Sequence, residues 1–250
     1  MTSRWLKKSG LKLEKSSADD TFIHGLNISQ PEKGYRFSID SLILAAHILP
    51  KGNEKVMDLG CGCGVISLLL AHRYPDLKIT GVEIQEELSV FARQNVLANG
   101  FEKNIHILHD DIKNIRFTET DIPADIIVSN PPYKKLGTGR LNPDPKKAMA
   151  RHETALDIDM LVECSGRLIK GQGHFFIIFP FDRLKDLTLA LTRHDFHPVF
   201  IRPVHIKEGT KAKRVIVCAV KSSDRQCSFC PPFFIFTPEN KLTEEYLSLV

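Results

Sequence analysis

The segment Asp58-Leu59-Gly60-Cys61-Gly62-Cys63-Gly64 most narrows what this chain can fold into. It completes a short apolar run, Lys55 to Leu59, and leads into a helical pattern from Val65 to Ala71 that stops at Tyr74-Pro75. Glycines at alternate positions let a backbone turn sharply and admit a ligand where a Cβ would collide. Amides at the start of the following helix then face the bound molecule. Strand, glycine loop and helix together open a ligand-binding βαβ unit.

That rhythm continues. Lys78 to Val82 is a β-branched strand, followed by a helix from Glu86 to Ala98 that Asn99-Gly100 terminates. Ile105 to Leu108 is a third strand, and Ala124 to Val128 a fourth, stopped by two prolines that no central strand could hold. Ala155 to Ile169 reads as helix, Gly171-Gln172-Gly173 as a turn, His174 to Phe179 as a strand, and Asp182 to Arg193 as helix. Val199 to Val204 and Arg214 to Val220 close the series as a pair of strands, in an antiparallel arrangement if they form a hairpin. The pattern predicts an α/β fold: a Rossmann-like, doubly wound, mostly parallel seven-stranded sheet over residues 51–250. Residues 1–50 do not follow the rhythm. There Thr21-Phe22-Ile23 and Leu26-Asn27-Ile28 flank His24-Gly25 as a hairpin, and Ser38 or Asp40 can cap a helix from Ile39 to Ile48. This front piece is expected to be an extension of the core domain.

Three acidic residues fall at three successive strand ends, the edge where open α/β sheets bind ligands. Asp58 stands two positions before the first glycine of the loop that contains Gly60, Gly62 and Gly64. Glu83 ends the second strand, where a carboxylate can accept hydrogen bonds from both hydroxyls of a ribose. Asp111, just past the third strand, can accept one from an adenine amine. The G-x-G-x-G spacing differs from the G-x-G-x-x-G of dinucleotide-binding sheets. It resembles the loop of S-adenosylmethionine enzymes, which carry such an acidic residue near the cofactor's amino-acid end.

Asn130-Pro131-Pro132-Tyr133 stands at the end of the fourth strand, beside that site. An exocyclic amine on a purine, or an amide nitrogen, is a poor nucleophile because its lone pair is delocalised. Two acceptors on its hydrogens, the Asn130 side-chain oxygen and the Pro131 carbonyl, favour a more pyramidal nitrogen with its lone pair toward the incoming methyl. The prolines fix the aim of that carbonyl. Tyr133 offers a flat face against which a base or amide can lie. Positioning and polar preorganisation suffice for in-line displacement from a sulfonium, without a metal or strong base.

Net charge is only +4, yet the basic residues cluster. Arg4, Lys7, Lys8, Lys12 and Lys15 crowd the amino terminus. Lys134, Lys135, Arg140, Lys146, Lys147 and Arg151 form a second run, and Arg202, Lys207, Lys211, Lys213 and Arg214 a third. Such patches suit a polyanionic partner. No stretch approaches the roughly 20 apolar residues of a membrane span, and Met1 to Gly10 does not resemble a secretory signal. The expected location is cytoplasmic. Six cysteines at this length do not suggest a disulfide scaffold. Cys227 and Cys230 have zinc-knuckle spacing without a second matching pair, so no metal site is expected. His152 is expected to order its loop or touch substrate rather than act as a base.

The chain resembles the class I methyltransferases that carry Asn-Pro-Pro-Tyr, and among them the bacterial tRNA adenine-N6 methyltransferases that modify the adenine beside the anticodon of a valine tRNA. Gln30 and Tyr35-Arg36-Phe37-Ser38-Ile39-Asp40-Ser41 match that family's amino-terminal motif, and the basic loop ending in Ala150-Arg151-His152-Glu153 looks like theirs. The resemblance, from about Gly25 to about Tyr246, implies S-adenosyl-L-methionine as methyl donor and tRNA as partner, held by the basic run and the amino terminus. A splayed loop base suits such a site better than a paired one. Two alternatives share the fold. One is glutamine-N5 methylation of a release factor, whose enzymes carry a helical amino-terminal domain; the other is a catalytically silent RNA-binding module, against which Glu83, Asp111 and Asn130 argue.

Overall fold

The computed structural model describes residues 20–23, 25–31, 37–116, 123–132 and 157–249. Tyr133, His152, the basic loop Lys134 to Arg151 and the amino-terminal cluster lie outside the described residues, as do Tyr35 and Arg36.

The βαβ rhythm is present: β3 (Lys55–Leu59), α2 (Val65–Arg73), β4 (Lys78–Glu83), α3 (Glu86–Ala98), β5 (Ile105–His109) and β6 (Ala124–Ser129). Then follow α4 (Ile158–Leu168), β7 (Ile169–Pro180), a single 3-10 turn (Phe181–Arg183), α5 (Leu184–Arg193), β8 (Phe196–Lys207) and β9 (Arg214–Lys221). The short strands β10 (Ser228–Phe229) and β11 (Phe233–Phe236) and helix α6 (Glu244–Leu249) close the chain. In front lie β1 (Asp20–Ile23), β2 (Leu26–Ser29) and α1 (Ile39–Ala46).

The sheet order is β10-β8-β9-β7-β6-β3-β4-β5. Strands β3 to β7 are parallel, whereas β9 lies antiparallel between β7 and β8. The expected seven strands run from β8 to β5 in a nine-stranded sheet among the described residues, with two more strands beyond β8. The other two, β10 and β11, pair with successive stretches of β8, at Phe200–Ile201 and from Val204 to Lys207. They form one edge strand interrupted at Pro231-Pro232, which have no N–H to offer a ladder. Gly171-Gln172-Gly173 is not a separate turn but an irregularity inside β7. Gln172 has φ +62°, and the register with β6 shifts between Ala124 and Ile126.

Two hydrophobic layers cover the sheet. One holds α1, α2 and α3 with Phe233 and Tyr246; the other holds α4 and α5 around Phe175 and Phe196. Every residue of α2 from Val65 to Ala71 is buried and all but Ser67 are apolar, so this helix is enclosed rather than amphipathic. Each fully buried leucine there contributes about 1.5–3 kcal/mol.

The hairpin forms as its sequence predicts, with Ile23 paired to Leu26 and Gly25 at φ +80°. It docks on α3 through two asparagines one helical turn apart. Asn99 and Asn95 each accept from and donate to the backbone of a β2 residue, Asn27 and Ser29 respectively, at 2.8–2.9 Å. Helix α1 begins at Ser38, whose side chain makes no capping bond. Asp40 is committed elsewhere: it accepts from Arg214 Nε on β9 at 2.9 Å.

Candidate active site

The chain lays down β3, moves outward through β4 and β5, then returns to place β6 on the other side of β3. The order reverses between β3 and β6, and the carboxyl ends of strands flanking such a reversal frame a crevice. Asp58 is in register with Val128, and Ser129 Oγ donates to Leu59 O at 2.8 Å. Gly60 and Asn130 therefore leave their strands side by side.

The glycine loop takes the shape its composition permits. Gly60, Gly62 and Gly64 have φ of +73°, +58° and +84°, a region side chains rarely adopt. Gly64 also packs against α3, where an added Cβ would lie 3.4 Å from Ala92 Cβ. Asn95 Nδ2 donates to Cys63 O at 2.9 Å and ties the loop to the same helix.

A cleft of about 660 Å³, counting its open mouth, lies above these strand ends. Gly60, Gly62, Glu83, Asp111, Asn130, Pro131 and Pro132 all line it, together with Asp110, Gln85 and the apolar Ile84 and Ile112. Of the residues singled out from sequence, Asp58 and Gly64 support the loop from beneath and Tyr133 lies outside the described residues. Gln85, Asp110, Ile84 and Ile112 were not legible as site residues. Asp110 could have been noticed as a second carboxylate at the same strand end. A second hollow of about 270 Å³, lined by Phe37, Ser41, Cys61, Cys63 and Ile66, shares Gly60 and Asn130 with the cleft.

The buried Glu83 accepts from Gly62 N through Oε2 and from Gln85 N through Oε1, each at 2.9 Å. A carboxylate has about four acceptor directions. Two hydroxyls of a diol can therefore also be accepted once the long 3.4 Å contact from Gln85 Nε2 gives way. Asp111 Oδ1 accepts from Lys113 N, and its Oδ2 lies 3.2 Å from Lys113 Nζ. Asp58 is fully buried: Oδ2 accepts from Ser67 Oγ at 2.8 Å, while Oδ1 has no hydrogen-bond partner among the described residues. Burial pushes its carboxyl up to about 7. Burial, reinforced by the Asp58 and Glu83 charges, likewise pushes the Cys61 thiol up. A buried carboxyl that desolvation holds near its proton takes on charge most readily beside a cationic ligand. The acidic floor, the diol acceptor and the apolar walls fit S-adenosylmethionine.

Asn130 is buried, and its Nδ2 donates to Ser41 Oγ on α1 at 2.9 Å. Of the third basic group, Arg202 pairs with Glu245 and also contacts His47, while Arg214 holds Asp40. Those two arginines are structural, which the sequence run did not reveal. Lys211 and Lys213 are exposed on the β8–β9 turn. Cys227 is exposed and Cys230 partly buried on either side of β10, and no group of three metal-ligating residues occurs among the described residues. No helix among them is long and apolar enough to cross a membrane.

This fold and crevice define a class I S-adenosylmethionine-dependent methyltransferase. The Methyltransferase small domain family matches residues 35–143. The chain belongs to the tRNA1(Val) (adenine(37)-N6)-methyltransferase family. It is 33% identical to the member from Phocaeicola vulgatus over 211 residues, 84% of this chain and 86% of that one. To the Porphyromonas gingivalis member it is 35% identical, covering 76% of each. Among solved structures, a "predicted O-methyltransferase" from Agrobacterium tumefaciens superposes with TM-score 0.68 at 20% identity, covering 84% of this chain and 95% of that one. A methyltransferase from Pyrococcus furiosus gives 0.57 at 19%, covering 80% and 91%. At that identity the likeness supports the fold alone.

Proposed function

We propose that this protein transfers a methyl group from S-adenosylmethionine to the N6 amine of adenine 37 in a valine tRNA, the reaction its relatives are named for. The carrying observation is Asn130: it leaves β6 beside the glycine loop, precedes two prolines, and lines both the cleft and the hollow next to it.

When bound, the cofactor supplies a methyl group activated on a sulfonium. Glu83 receives the ribose hydroxyls, Asp111 the adenine amine of the cofactor, and Asp58 faces the cationic amino-acid end behind the loop of Gly60, Gly62 and Gly64. Asn130 Oδ1 and the Pro131 carbonyl accept the two hydrogens of the acceptor amine and direct its lone pair at the methyl carbon. Pro132 stiffens that turn, and Tyr133 gives the acceptor base a face to stack on. With the amine so held, its nitrogen would take the methyl in line with the sulfur that leaves with the C–S electrons, and one amine proton would pass to water. Lys211 and Lys213 join the runs at Lys134–Arg151 and the amino terminus in holding phosphates.

The described residues of the front piece form a hairpin and one helix, which favours this reading over that of the glutamine-methylating enzymes with their helical amino-terminal domain. The test is incubation of purified protein with labelled S-adenosylmethionine and unmodified bulk tRNA, followed by digestion to nucleosides. N6-methyladenosine is expected, and it should be absent with Asn130→Ala, which should retain near-normal cofactor affinity. Label entering a release factor and not RNA would overturn the reading.

A further inference from the structure

The Asn130 carboxamide has two chemically opposite ends of nearly the same shape. Only the oxygen can accept a hydrogen from an acceptor amine; the nitrogen end would set N–H against N–H. The amino-terminal extension meets the nitrogen end. Asn130 Nδ2 donates to Ser41 Oγ at 2.9 Å, across a sequence separation of 89 residues, and both residues are buried. The two ends of a carboxamide diverge, so this bond turns Oδ1 away from Ser41.

Ser41 is itself held in place. It lies in the first turn of α1, where its N–H donates to Ser38 O at 3.0 Å. The residue before it, Asp40, is fixed to β9 through Arg214. At the far end of α1, His47 packs edge-on against Phe233. Helix α1 is thus fastened at both ends, and its hydroxyl faces Asn130 in the hollow that the two residues share with Gly60.

We propose that Ser41 is a positioning residue for methyl transfer, orienting the Asn130 carboxamide so that its oxygen faces the acceptor nitrogen. This rests on the function proposed above. Removing the hydroxyl takes this contact from the Nδ2 end and loosens the hold of α1 on the carboxamide. Turnover then falls while the binding of either substrate, which the other cleft residues determine, does not.

The test compares wild type, Ser41→Ala and Ser41→Thr in three measurements. These are the side-chain NH2 resonances of Asn130 in a proton–nitrogen correlation spectrum, identified by their loss in Asn130→Ala; cofactor affinity by calorimetry; and kcat and KM with unmodified tRNA. In Ser41→Ala the Asn130 resonances should move, and kcat should fall roughly ten- to a hundredfold. KM for tRNA and cofactor Kd should stay within about twofold. Ser41→Thr, which keeps the hydroxyl, should restore both the resonances and kcat. An unchanged kcat or unmoved resonances in Ser41→Ala would overturn the proposal. So would a joint loss of cofactor affinity and thermal stability that threonine does not repair. If wild type leaves tRNA unmethylated, the functional reading fails instead, and the resonances alone decide whether Ser41 holds Asn130.

Discussion

Asn95 and Ser29 hold each other twice: Ser29 N donates to Asn95 Oδ1 at 2.8 Å, and Asn95 Nδ2 donates to Ser29 O at 2.9 Å. The same Nδ2 reaches Cys63 O, so one buried side chain joins the hairpin, helix α3 and the glycine loop.

Asn95→Ala should therefore do more than loosen the hairpin. It removes three hydrogen bonds, two with Ser29 and one with Cys63 O, and each such bond contributes about 0.5–1.5 kcal/mol net. Denaturant unfolding should show a loss of roughly 3 kcal/mol. Cofactor affinity should fall with it, because the loop loses its tie; calorimetry on the folded variant checks this.

Glu83→Gln tests the diol acceptor. One carboxylate oxygen becomes an NH2 that faces a backbone N–H, from either Gly62 or Gln85. Cofactor affinity should fall roughly tenfold or more, since bonds to a charged acceptor are worth about 1.5–3 kcal/mol. At saturating cofactor, kcat should remain within a few-fold of wild type.

Asp58 sets a pH dependence of stability. Its folded carboxyl keeps its proton up to about 7, against an ordinary value of 3.8 in the unfolded chain. Below about pH 4 both states are protonated and the group contributes nothing. As pH rises from there toward 7 the unfolded state gives up its proton first, so stability falls, by an upper bound of roughly 4 kcal/mol. Above about 7 the loss is complete. Asp58→Asn should remove this slope and raise the melting temperature of cofactor-free protein more at pH 8 than at pH 5. Its cofactor affinity should drop, because a neutral amide does not balance a cationic ligand.

Lys211 and Lys213 sit just before Arg214, which pairs with Pro180 at the end of β7, on the same sheet edge that presents Asn130. Replacing both with glutamate should weaken tRNA binding about tenfold or more and reduce the slope of log affinity against log salt by about 2. Turnover at saturating tRNA should hold. Filter binding over a salt series measures the first, and single-turnover kinetics the second.

The sheet was legible because its signals are local: β-branched runs, the helix stop at Asn99-Gly100, and the glycines of the Gly60–Gly64 loop, where φ is positive, all lie within short windows of sequence. Glu83, Asp111 and Asn130 were legible because strand ends are predictable and the crevice forms there. What escaped depends on distance. Asn95 is an ordinary residue inside a helical pattern, and nothing nearby announces that it will meet Ser29, 66 positions earlier. Ser41 was visible only as part of a motif, not as a partner of Asn130. Arg202 and Arg214 read as surface charge until the fold set Glu245 and Asp40 beside them. The first piece of the edge strand broken at Pro231-Pro232 is only two residues long, too short for a pattern to show in the sequence.

The clasp between Asp40 and Arg214 spans 174 residues of sequence. On the ribosome, helix α1 emerges early but lacks this clasp until β9 has been made, and β9 is among the last strands translated. The cofactor crevice between β3 and β6 is complete well before that point. A nascent chain can thus form its crevice before this clasp secures the helix whose Ser41 meets Asn130, and the site takes its final shape only when nearly the whole polypeptide is made.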